Sequence, residues 1–183
     1  MKKAIIFHGM PEEHEYQGNE SQMHWIPWLK EKLEANGYQV FNPELPRAYK
    51  PIYEDWLKIF QQFPLDEETV LVGHSCGGGF LLRYLSENDV KVDKVVLVAP
   101  WLDPRKHLET GFFDFSIDPK VSNKSQCTTI FVSSDDGEDV LTSVATLTKA
   151  VPGVTVKQFT DKGHFTFGDM GQKEFPELLQ IIL

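Results

Sequence analysis

Short apolar runs alternate with longer stretches of helical spacing along the whole chain. The runs at residues 3–7, 38–41, 69–72, 94–99, 128–132 and 154–159 are rich in Val, Ile, Thr and Phe and predict strands. Residues 94–99 are almost continuously apolar, the pattern of a strand covered on both faces. Between the runs, residues 24–33, 52–60, 78–85 and 138–150 carry the spacing of helices with one apolar face. The first of these stops near Asn36-Gly37, where glycine supplies a left-handed cap, and the last at Pro152-Gly153. In the second, Ile52, Trp56, Leu57, Ile59 and Phe60 form the inward face. Residues 172–183 predict a final helix in spite of Pro176.

Strand–helix alternation of this kind predicts an α/β fold with about six strands in a mainly parallel, doubly wound sheet and helices on both faces. No linker, repeat or low-complexity tract interrupts residues 1–183, so a single domain is expected. Two stretches lack a period. Residues 11–22 are a polar loop after the first strand, and residues 102–126 read as a long insertion over the carboxyl edge of the sheet, a candidate lid or substrate-contacting loop.

Composition narrows the function. A chain of 183 residues with 41% apolar content can bury a core without disulfides or metals. A formal charge of −9 with no block of Lys or Arg removes the electrostatic attraction that nucleic acid or an anionic membrane would require, so neither is expected as a partner. The two cysteines, Cys76 and Cys127, do not suggest a disulfide. With no secretory leader and no span-length apolar run, a cytoplasmic location is the expectation.

The chemistry concentrates at Gly73-His74-Ser75-Cys76-Gly77. A G-x-S-x-G turn between a predicted strand and a predicted helix has the context of a nucleophile elbow, which thrusts a serine hydroxyl from the sheet edge on a strained turn. A base and an acid should follow in the order serine, acid, histidine. Of the two downstream histidines, His107 falls in the insertion and His164, in Gly163-His164-Phe165, follows the last strand on a loop able to return over Ser75. Asp135 and Asp136, after the preceding strand, both suit the acid: one would orient His164 and the other cap the following turn or helix, with Asp139 a weaker third choice. The oxyanion hole would use the backbone N–H of Cys76 with that of Met10 or Gly9. Cys76 itself reads as a small packing residue.

His8, Glu12, Glu13, His14 and His24 match no standard zinc spacing and are read as loop polarity; no metal or organic cofactor is expected. A dinucleotide site is excluded by the absence of G-x-G-x-x-G after the first strand. His8, Trp25, Trp101, Phe112, Phe113 and Phe165 are candidates for a substrate pocket, the aromatic ones having core packing as their alternative.

His8-Gly9, His24-Trp25-Ile26-Pro27-Trp28-Leu29, the elbow, Ser133-Ser134-Asp135-Asp136 and Gly163-His164-Phe165 together resemble the small YdeN-like and retinoblastoma-binding-protein-type serine hydrolases of the α/β-hydrolase superfamily. The resemblance runs nearly end to end and is weakest over 102–126. It implies a reduced hydrolase core without a large cap domain, and it places the acid at the second aspartate, Asp136. The expected activity is hydrolysis of small, short-acyl esters or similar acyl bonds through an acyl-enzyme, with a small-molecule substrate and no cofactor. The alternative expectation is a weakly active or inactive hydrolase scaffold that binds a protein partner, with residues 102–126 as its surface.

Overall fold

A computed structural model describes all residues, 1–183. Six strands form one sheet, β1 (Lys3–Phe7), β2 (Gln39–Phe41), β3 (Thr69–His74), β4 (Val92–Val98), β5 (Ser125–Ser133) and β6 (Thr155–Phe159). Every pairing is parallel and the spatial order is β2-β1-β3-β4-β5-β6. The helices are α1 (Ile26–Ala35), α2 (Tyr53–Phe60), α3 (Cys76–Glu87), α4 (Glu138–Ala150), α5 (Phe167–Met170) and α6 (Pro176–Ile182). No helix is long and apolar enough to cross a membrane.

The switch in strand order fixes where the layers lie. From β1 the chain moves through α1 to the β2 edge, whereas from β3 it moves through α3 toward β4, in the opposite direction. Right-handed crossovers therefore put α1 and α3 on opposite faces. Two aromatic clusters fill the interior. Phe7, Trp56, Phe60 and Phe80 pack at ring separations of 5.0–6.2 Å. Phe131, Phe159, Phe165 and Phe175 form the second, joined by Trp25.

The elbow elements run further than the apolar pattern implies. β3 continues through Gly73 and His74, which pair with Leu97 and Val98. α3 begins at Cys76, two residues before the predicted start, because Gly77 and Gly78 belong to its first turn. These glycines carry no hydrophobic signal but are sterically required. A Cβ on Gly77 would lie 2.5 Å from the carbonyl oxygens of Phe7 and His8.

The segment 102–126 departs from the expected lid. Its last residues are a short 3-10 turn, Val121–Lys124, and the first residues of β5. Phe112 is fully buried, 4.9 Å from the Trp56 ring. Arg83 Nη1 donates to the carbonyls of Gly111 and Phe112, both at 2.8 Å, and Lys124 Nζ donates to those of Leu85 and Asn88. The segment is anchored on the core through Phe112, and its His107 and Leu108 line a cleft beside Ser75.

Candidate active site

Ser75 lies between β3 and α3 with φ 52° and ψ −120°, outside the regions a side-chain-bearing residue prefers. Its neighbours hold it there. The Ser75 N–H donates to the Val98 carbonyl at 2.9 Å, and its own carbonyl accepts from Gly79 and Trp101. The loop after β1 comes so close that a Cβ on Gly9 would sit 3.1 Å from Ser75 Cβ. Cys76 opens α3, whose first N–H groups have no intrahelical partner, and Gly9 and Met10 line the cleft beside Ser75. The Cys76 thiol is fully buried; burial, then the Asp103 carboxylate, push it well above the usual thiol range. It packs, as expected.

The two aspartates separate cleanly. The Asp136 carboxylate, 3% exposed, lies 3.0 and 3.1 Å from His164 Nδ1, and Oδ1 also accepts the Gly137 N–H. Asp135 accepts from the Ser133 hydroxyl and the Gly163 N–H, and Ser133 Oγ in turn accepts the Lys162 N–H at 3.0 Å. The Ser133 bond above all holds the Asp135 carboxyl below its ordinary range. Asp135 thus joins the end of β5 to the His164 loop and does not cap α4, whose N-cap is Gly137.

Three side chains missed by pattern reading hold the His164 loop. The His164 N–H donates to Asp169, which also forms a capping box with Thr166 at the start of α5. The His164 carbonyl accepts from His74 Nε2 at 2.8 Å. Since a carbonyl only accepts, Nε2 carries the proton and the buried Nδ1 of His74 has no partner. Burial first, then the neighbouring His164 and His24, hold His74 well below the usual imidazole range, so it is neutral. His24 Nδ1 accepts the Phe167 N–H at 3.1 Å; burial, then His164, lower its pKa as well. No periodicity marks these residues. The signals were motif membership, His74 in the elbow and His24 at the head of His24-Trp25-Ile26-Pro27-Trp28-Leu29.

Two clefts meet at Ser75 and His164. The larger, about 590 Å³, runs along the loop after β1 past His8, Glu12, Glu15, Glu20, His24 and Thr166. The smaller, about 450 Å³, is bounded by Met10, Trp101, Leu108 and Val140 and includes His107. Of the six candidate pocket residues, only His8 and Trp101 line a cleft. His8 is nearly buried, its Nε2 accepting the Leu45 N–H and its Nδ1 bonded to the Gly9 carbonyl. Trp25, Phe112 and Phe165 are fully enclosed in the aromatic clusters. Phe113 packs on Trp101 and Gly79 and lines neither cleft. Large rings removed from water contribute most in the core, and that packing claimed them here.

Comparison with known proteins agrees with this geometry. Residues 13–182 match the family of serine hydrolases. The chain is 31% identical over 145 residues to the putative hydrolase YdeN of Bacillus subtilis, covering 74% of this chain and 71% of that protein. It is 26% identical over 166 residues to the serine hydrolase RBBP9 of Rattus norvegicus, covering 86% and 84%. The crystal structure of the B. subtilis ydeN gene product superposes with a TM-score of 0.84 over 100% of this chain and 97% of that one. The α/β fold of this protein, its elbow and the family match agree: the chain belongs to the serine hydrolase family.

Proposed function

We propose that the protein is a carboxylesterase acting on small, short-acyl esters, with Ser75 as nucleophile, His164 as base and Asp136 as its orienting acid. The observation that carries this reading is the pairing of Asp136 with His164 Nδ1, which leaves Nε2 free on a ring that shares both clefts with the strained Ser75. Ser75 Oγ attacks the acyl carbon while His164 Nε2 takes its proton. The tetrahedral oxyanion meets the N–H groups of Cys76 and of Met10 or Gly9. The bond to the leaving oxygen breaks, His164 protonates that oxygen, and the alcohol departs. A water then gives a proton to His164 and attacks the acyl-enzyme; the ester bond to Ser75 breaks, the carboxylic acid leaves, and the proton returns to Ser75.

Labelling with a fluorophosphonate tests the assignment. Wild type should label, and Ser75→Ala and His164→Ala should both lose labelling and nearly all esterase turnover, by similar factors, because the three groups act as a unit. A folded wild type that resists the probe would sink the proposal.

A further inference from the structure

The larger cleft contains a hydrogen-bond donor that neither the fold nor the catalytic steps above employ. His24 lines this cleft together with Ser75, His74 and His164. Its ring centroid lies 5.7 Å from that of His74, which in turn lies 5.1 Å from that of His164. A chain of three imidazoles thus ends at the proposed base. Two of them are committed: His74 Nε2 donates to the His164 carbonyl, and His164 Nδ1 faces Asp136.

His24 is not. The Phe167 backbone N–H donates to its Nδ1 at 3.1 Å. A ring nitrogen that accepts carries no proton, so the imidazole is neutral and its one N–H is at Nε2. Burial, then the nearby His164, favour the same neutral form. Nε2 bonds to nothing in the protein and, unlike the buried Nδ1 of His74, is not sealed from solvent. The ring therefore offers a donor of fixed tautomer on its open side, at the cleft.

The backbone adds an independent sign. His24 has φ 57°, one residue before the N-cap of α1. Holding Phe167 requires only an acceptor, which an Asn or Asp side chain would supply while tolerating this conformation better. Histidine brings something more, the N–H on the far side of the ring. Strain retained beside a cleft is what a functional side chain produces.

The rest of the wall restricts what that donor can take. Glu12, Glu15 and Glu20 line the same cleft and no Lys or Arg does, so an anionic acceptor is disfavoured there. Resting on the catalytic reading, we propose that His24 is a substrate-binding residue. Its Nε2–H donates to an uncharged oxygen (ether, carbonyl or hydroxyl) on the part of the ester that enters the larger cleft. The preferred substrate is then an oxygenated ester, and not a plain alkyl one.

Two matched pairs of esters, turned over by the intact protein, test this. In each pair one ester carries a methoxy-terminated chain and the other the same chain with CH2 in place of the oxygen. The chain is on the acyl side in one pair and on the alcohol side in the other. Each ratio of kcat/KM is divided by the ratio for hydroxide-catalysed hydrolysis, which removes the inductive effect of the oxygen. In at least one pair the wild type should favour the methoxy ester by about three- to tenfold, as one hydrogen bond between uncharged groups allows. The preference should fall toward one in His24→Phe, which keeps a ring but has no donor. It should persist in His14→Phe, which removes an exposed imidazole of the same cleft. Equal loss of both esters in His24→Phe, with the ratio unchanged, would reduce His24 to an anchor for Phe167 and overturn the inference. An equal fall of the ratio in His14→Phe would do the same. So would a ratio of one in both wild-type pairs, a result that depends on no variant folding. A wild type that labels with fluorophosphonate but shows no preference loses only this inference. One that neither labels nor hydrolyses any of the four esters loses the catalytic reading, and this inference with it.

Discussion

Adjacent aspartates with unlike partners give the sharpest residue-level expectation. Asp136 is shielded and bonded to His164, whereas Asp135 is bonded to Ser133 and to the Gly163 N–H. Asp136→Asn removes the charge that stabilises the imidazolium and offers the wrong tautomeric partner, so ester turnover should fall by roughly ten-thousand-fold with the fold intact. Asp135→Asn should act through the Gly163 loop, with a smaller loss of turnover accompanied by lower stability. Paired turnover and denaturation measurements on the two variants separate these effects; a larger turnover loss for Asp135→Asn would reverse the assignment. Residue types and chain order had reduced the acid to this pair. The family resemblance points to Asp136 within the pair, and the hydrogen bond to His164, between side chains 28 residues apart, is a contact that no local pattern encodes.

At the scale of elements, β1 and α4 begin and end where the pattern puts them, because their apolar spacing is unbroken. The elbow elements run past the apolar pattern, since Gly73 and Gly77 meet neighbouring backbone and carry no hydrophobic signal. The aromatics of the 102–126 segment were ambiguous for a related reason: Phe112 and Phe113 sit in a stretch without period, and packing partners from α2 and α3 decide their fate. Because Phe112 is fully buried against Trp56, Phe112→Ala should lower unfolding free energy by about 3–5 kcal/mol. A denaturant titration reads this directly. A mobile cover would instead show altered turnover at unchanged stability.

For the molecule as a whole, the buried neutral His74 ties stability to pH. In the unfolded chain this imidazole takes up a proton below its ordinary value of 6.5, while in the folded protein it does not. The unfolded state then binds more protons, so stability falls as pH falls below that value. Glu44 adds a second window. Burial opposes it, but the nearby His8 ring and the bond from the Ser21 N–H hold its carboxyl at about 2, so its contribution is present above its ordinary value of 4.5 and is lost toward about 2. Unfolding midpoints from pH 7 to 5 should decline for the wild type and decline less for His74→Gln, which keeps a donor for the His164 carbonyl but does not titrate. Equal slopes would remove His74 from the account.

The left-handed backbone of Ser75 recurs at His24, Ala99 and Phe165, with φ of 57°, 46° and 56°. All four lie at or beside the carboxyl edge of the sheet where the clefts open, and each carries a side chain in a conformation that glycine adopts more readily. Selection for robustness and selection for chemistry therefore press on the same few backbone positions. A substitution along this rim must preserve an unusual backbone conformation as well as a side chain.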